Sequence, residues 1–74
     1  MPDHVYKKIE LTGSSTKGIQ DAIENAVAHA AKSVRKLDWF EMTEIRGHID
    51  DGEIQHWQVT VKIGFRLEQD DEKA

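Results

Sequence analysis

From residue 57 to residue 67 the chain alternates without a break. Trp57, Val59, Val61, Ile63, Phe65 and Leu67 hold one parity; Gln58, Thr60, Lys62, Gly64 and Arg66 hold the other. Successive side chains of a strand point to opposite faces, so this run demands a sheet with one apolar and one polar side. A strand this long needs partners along its edges and a cover for its apolar face. The remaining residues must supply both.

The first partner lies just upstream. "LDWFEMTEIRGHI" and "IQHWQVTVKIGFRL" flank "DDGE", whose Asp-Gly step is a strong turn signal, so the two segments read as a hairpin. Matching apolar faces sets Ile45 opposite Val59, Arg46 opposite Gln58 and His48 opposite His56. A three-residue loop, Asp51-Gly52-Glu53, supplies that offset. The upstream strand is less regular, because Phe40 and Met42 sit on the parity opposite to Ile45 and Ile49. Either a bulge between Trp39 and Thr43 reconciles the two phases, or both sides of this stretch are covered, one by a helix and one by another chain.

The cover comes from "SSTKGIQDAIENAVAHAAKSVRK". Ile19, Ile23, Ala26, Val27, Ala30 and Val34 form one stripe at helical spacing. Asp21 and Glu24 lie toward the front and Lys32, Arg35 and Lys36 toward the rear, which complements the helix dipole. The pattern predicts a helix over about 16–35, with Ser15 as N-cap. Its many alanines favour close approach to a neighbour. Before it, "HVYKKIELTG" alternates imperfectly and predicts a strand ending at Gly13.

The order is therefore βαββ. If each element turns back on the last, the third strand runs opposite to the other two and pairs with both. The expected fold class is α+β: a three-stranded antiparallel sheet, strand order 1-3-2, packed on one helix. The boundaries expected are a single domain over 1–74, an ordered core of about 4–68 and an acidic tail over 69–74.

Seventy-four residues bury only a modest core, and the chain has no cysteine to staple it. The four histidines are scattered in sequence. Self-association is the remaining reinforcement. A net charge of −4, with both signs interspersed, argues against a nucleic-acid partner held by phosphate neutralisation. No apolar run approaches the ~20 residues of a membrane helix, and no signal-peptide core is visible, so the expectation is a cytoplasmic protein without a membrane partner. No nucleophile–base pair and no glycine-rich dinucleotide fingerprint is legible, so no catalytic residue is assigned and an enzyme is not expected.

The helix covers one face of the sheet. The other carries Arg46, His48, Gln58 and Thr60, and the sequence places Phe40 and Met42 near them. Such a face suits an assembly better than a monomer. Trp39, just outside the regular alternation, is either packing at a strand end or standing at a seam between chains, where aromatic rings are enriched.

Taken together, "VYKKIELTGSS" and "DWFEMTEIRGHIDDGEIQHWQVTVKIGFRL" resemble the dodecin family of small flavin-binding proteins, from about Val5 to Leu67. The DWFE step, the IRGH step, the glutamine of WQV and the closing GFRL carry the likeness. The resemblance implies twelve chains in a hollow shell of tetrahedral symmetry, a homo-dodecamer, with flavins in pairs at two-fold seams. It implies that Trp39 stacks on an isoalloxazine ring, so that two indoles from two chains sandwich two flavins. It implies that Gln58 bonds the polar edge of the ring. FMN is the expected ligand, with riboflavin and FAD as alternatives, and coenzyme A as a ligand elsewhere on the shell. The function implied is non-enzymatic flavin binding, storage and photoprotection. The rivals are a shell built for another nucleotide, a small flavin-dependent redox enzyme, and a plain oligomeric adaptor.

Arg46 is expected to line the pocket or an interface, with Glu44 as a competing partner. His48 is expected to line the pocket as well. His48 and His56, read as cross-strand neighbours, supply half of a typical zinc site, and simple surface pairing is the plainer expectation. Lys62 and Arg66 read as solvated charges that could also hold an anion. No metal site is assigned.

Overall fold

The computed structural model describes residues 3–67. The acidic tail expected over 69–74 lies outside the described residues. The elements run β1 (Tyr6–Ser15), α1 (Ile19–Ala31), β2 (Leu37–Asp50) and β3 (Glu53–Arg66). They form a three-stranded sheet in the order β1-β3-β2, antiparallel throughout. The βαββ unit and strand order expected from the alternation are those observed.

The alternating strand takes the central place. Val59, Val61 and Ile63 are essentially fully buried and meet Ala22, Ala26 and Ala30 of α1. Ile9 and Leu11 of β1 and Ile19, Ile23 and Val27 of α1 pack around them. Burying each large aliphatic side chain contributes roughly 1.5–3 kcal/mol, so these three positions anchor the core.

The alanine stripe lets the helix come very close to the sheet. A Cβ added at Gly13 would collide with the Ala22 carbonyl and come within 2.9 Å of the Ala26 Cβ. Glycine on the strand and alanine on the helix are thus one device, since neither surface has a side chain to hold the backbones apart.

The helix is shorter than its pattern predicts, Ile19–Ala31 rather than about 16–35, and Ser15 is not its N-cap. Ser15 still belongs to β1, where it pairs with Trp57. Its hydroxyl accepts from the Lys17 amide at 2.8 Å and donates to Asp21 Oδ2 at 2.6 Å. The cap position falls to Gly18, with no side-chain cap. Ser15 therefore ties the loop to the first turn instead of capping it.

The turn also differs from expectation. Asp50 pairs with Glu53, leaving a two-residue loop, Asp51-Gly52, with positive φ at both positions (53° and 77°). That is the signature of a type I′ hairpin turn, whose twist matches the flanking strands. The offset assigned to a third loop residue comes instead from a bulge at Gln55, between the His48–His56 and Ile49–Ile54 pairs. Beyond it the expected register holds: Ile45 faces Val59, Arg46 faces Gln58 and His48 faces His56.

Candidate functional site

Two further irregularities in β2 decide what faces where. Leu37 pairs with Phe65, but Trp39 pairs with Gly64, so Asp38 is the extra residue. Met42 pairs with Val61, but Glu44 pairs with Thr60, so Thr43 is a second extra residue. Its hydroxyl donates to the Thr60 carbonyl at 3.2 Å. Between these two bulges, Phe40 and Met42 stand opposite Ile63 and Val61 and share their face. This corrects the expectation that they lie with the polar groups. They belong to the helix side of the sheet, yet stay about half exposed, because α1 packs chiefly on β1 and β3 and leaves most of β2 uncovered. An open apolar groove results, lined by Ile19, Ile23, Val27 and Phe40.

The bulge at Asp38 turns Trp39 to the other face, away from the helix. There the indole packs directly against Gly64, and a Cβ at that position would collide with the Trp39 Cε2 and Cζ2 atoms. The edge of Tyr6 closes on the indole from β1, with centroids 5.1 Å apart and planes at 62°. Trp39 keeps 38% of its surface exposed. The ring is thus supported from below by bare backbone and from one side by a phenol, with the rest free to stack.

Further along the same face run a Glu41–Lys62 pair, a Glu44–Thr60 pair, an Arg46–Gln58 pair and a His48–His56 pair. Lys8 Nζ meets Glu41 Oε2 at 3.3 Å, and Arg46 Nη2 meets Glu44 Oε2 at 3.3 Å. Thr12 and Thr60 share a hydroxyl hydrogen bond of 2.9 Å. The His48 and His56 rings stack, with centroids 5.5 Å apart and planes within 13°.

Of the four expected site residues, three are therefore brought together: Arg46, Gln58 and His48 occupy adjoining positions on one face. Trp39 shares that face but stands apart. Gly64 lies six residue steps along β3 from Gln58, about 20 Å of extended strand. One chain does not place the indole and the glutamine around the same ring system.

A family model for Dodecin matches residues 5–68. The dodecin of Thermus thermophilus is 51% identical over 65 residues, which cover 88% of this chain and 94% of that protein. The chain belongs to the dodecin family. Among solved structures, the dodecin from Streptomyces coelicolor superposes with a TM-score of 0.87 at 51% identity, covering 93% of this chain and 99% of that one. The dodecin from Streptomyces davaonensis gives a TM-score of 0.87 at 44% identity, covering 92% and 100%.

Two neighbours of Trp39 in the candidate site went unassigned in the sequence: Gly64, which gives the indole its seat, and Tyr6, which braces it. Glycine inside an otherwise regular strand was the available signal, since it marks a place where something approaches the backbone closely. Tyr6 had no such mark.

Proposed function

We propose that this dodecin binds and stores flavin without transforming it, in a homo-dodecameric cytoplasmic shell. FMN is the leading ligand, with riboflavin and FAD as alternatives. The observation that carries the reading is the seat of Trp39: a partly exposed indole packed directly against Gly64 and braced by Tyr6.

Isoalloxazine is flat and electron-poor, and indole is electron-rich. Offset stacking of an aromatic pair contributes about 0.5–1.5 kcal/mol beyond burial of area. A pre-positioned ring keeps more of that gain, because little side-chain freedom remains to be lost. Close stacking also opens an electron-transfer route from indole to excited flavin, which quenches emission and limits photochemistry. Storage with protection from light is the natural consequence of that contact.

Gln58 carries both a donor and an acceptor, which suits the alternating carbonyl and imino edge of the flavin's pyrimidine half. Arg46, opposite it, and His48, next along β2, line the same end. The separation of Trp39 from Gln58 supports a pocket shared between chains, with the indole from one copy and the polar edge contacts from another. The uncovered Phe40, Met42 and Ile45 supply apolar surface for such contacts.

Titration of FMN with purified protein, following flavin emission, tests the reading. Wild type is expected to extinguish the emission at saturation; Trp39→Ala is expected to leave most of it.

A further inference from the structure

His48 borders the polar end of the proposed flavin pocket, but its pairing with His56 is not needed to explain flavin stacking, and the chemistry of the pair points elsewhere. His48 and His56 are directly opposed across β2 and β3, where facing Cβ atoms stand only about 4.5–5.5 Å apart. Their rings lie 5.5 Å apart and nearly parallel. Among the described residues, neither imidazole has a hydrogen bond or ion pair. Two ring faces are thus held together with their nitrogens uncommitted, on a surface where each could have pointed into water alone.

We propose that His48 and His56 chelate one divalent transition-metal ion, with zinc as the probe ion. Imidazole is a ligand of choice for zinc, nickel and copper, with zinc–nitrogen bonds of about 2.0–2.1 Å. Two nitrogens bound to one tetrahedral ion lie about 3 Å apart. The ring torsion of histidine is broad, so rotating the stacked rings edge-on brings a nitrogen from each to a common point without moving the strands.

The neighbouring charges favour a cation there. Asp50 and Glu53 are paired two positions nearer the turn on the same face, and Asp51 comes next, in the turn itself. On the other side, Arg46 is held by Glu44 at 3.3 Å. No third His, Cys, Asp or Glu among the described residues completes a cage. The ion therefore keeps water in its remaining positions, with Asp50 and Glu53 placed to attract it rather than to ligate it. Such a clasp joins the two strands next to the bulge at Gln55, where their ladder is interrupted.

The proposal does not rest on flavin binding, and its test uses neither flavin nor its emission. Zinc is titrated calorimetrically into tag-free protein as purified. Wild type is expected to take up one zinc per chain. His48→Gln and His56→Gln are each expected to weaken uptake about tenfold or more, because one imidazole holds zinc far less well than two. His29→Gln, on the helix, is expected to match wild type. A crystal soaked in zinc should show anomalous density between residues 48 and 56. Undiminished uptake by the H48Q/H56Q double variant, or no saturable uptake by wild type at millimolar zinc, overturns the proposal.

Discussion

The indole of Trp39 lies over Gly64, its partner across the β2–β3 ladder, with no room for even a methyl group between them. The geometry makes a glycine on one strand a condition for the ring position on the other. Gly64→Ala is accordingly expected to push the indole off its seat while leaving the sheet folded. Flavin emission should be quenched much less, with affinity down about tenfold or more, as for loss of roughly 1.4 kcal/mol of stacking. Circular dichroism checks that the fold survives. Unchanged quenching would show that the seat is irrelevant to stacking.

Gly13 plays the equivalent part at the helix. Its substitution by alanine drives a methyl group into the Ala22 carbonyl and the Ala26 Cβ. Overpacking of this kind typically costs about 1–3 kcal/mol. Urea unfolding of Gly13→Ala should show a midpoint well below wild type. Gly18→Ala, at a position with nothing nearby, should not lose stability through any clash.

The turn gives a third expectation. Gly52 holds φ at 77° with open space around it, so a side chain there meets backbone strain but no collision. Gly52→Val should cost about 1 kcal/mol or more, read from the same unfolding curves, because β-branched residues avoid that region.

Much of the fold was legible because the strongest pattern in the chain belongs to its central strand. The parity of Val59, Val61 and Ile63 sets the inner face, and matching Ile45 to Val59 sets the register. The sheet order is then a matter of strand direction alone. The upstream strand was only half legible. Asp38 and Thr43 are both bulged, and each bulge reverses the parity of the residues after it, so Leu37, Phe40, Met42 and Ile45 all reach the inner side while Trp39, alone among the large apolar residues of β2, is turned out. Parity within one strand cannot reveal where a bulge falls, since the extra residue is defined against its partner strand. The helix ends were misjudged for a related reason. Ser15 has the chemistry of a cap, but its strand pairing and its bond to Asp21 had already claimed it.

The site divides in the same way. Arg46, His48 and Gln58 fall together because the register was readable. Trp39 stands about 20 Å from Gln58 along the sheet, a distance that a neighbouring chain closes in the proposed pocket. Disrupting the assembly should therefore abolish binding even with all four residues intact. Phe40→Asp places a charge in the groove beside Ile23 and Val27, on surface left open by the helix. Sedimentation should show smaller species for this variant, and FMN emission should stay bright in its presence. A fully assembled Phe40→Asp shell would contradict the role given to that groove.

The central claim is that an indole supplied by one chain stacks on a flavin whose polar edge is held by another. Its most direct measurement is FMN emission during titration with wild type, Trp39→Ala and Gln58→Ala, each sized in the same buffer. The expected result is twelve-chain particles in all three cases, with saturable quenching by wild type, almost none by Trp39→Ala, and weakened binding with retained quenching at saturation by Gln58→Ala. Single protomers in the wild-type sample, or equal quenching by wild type and Trp39→Ala, would contradict it.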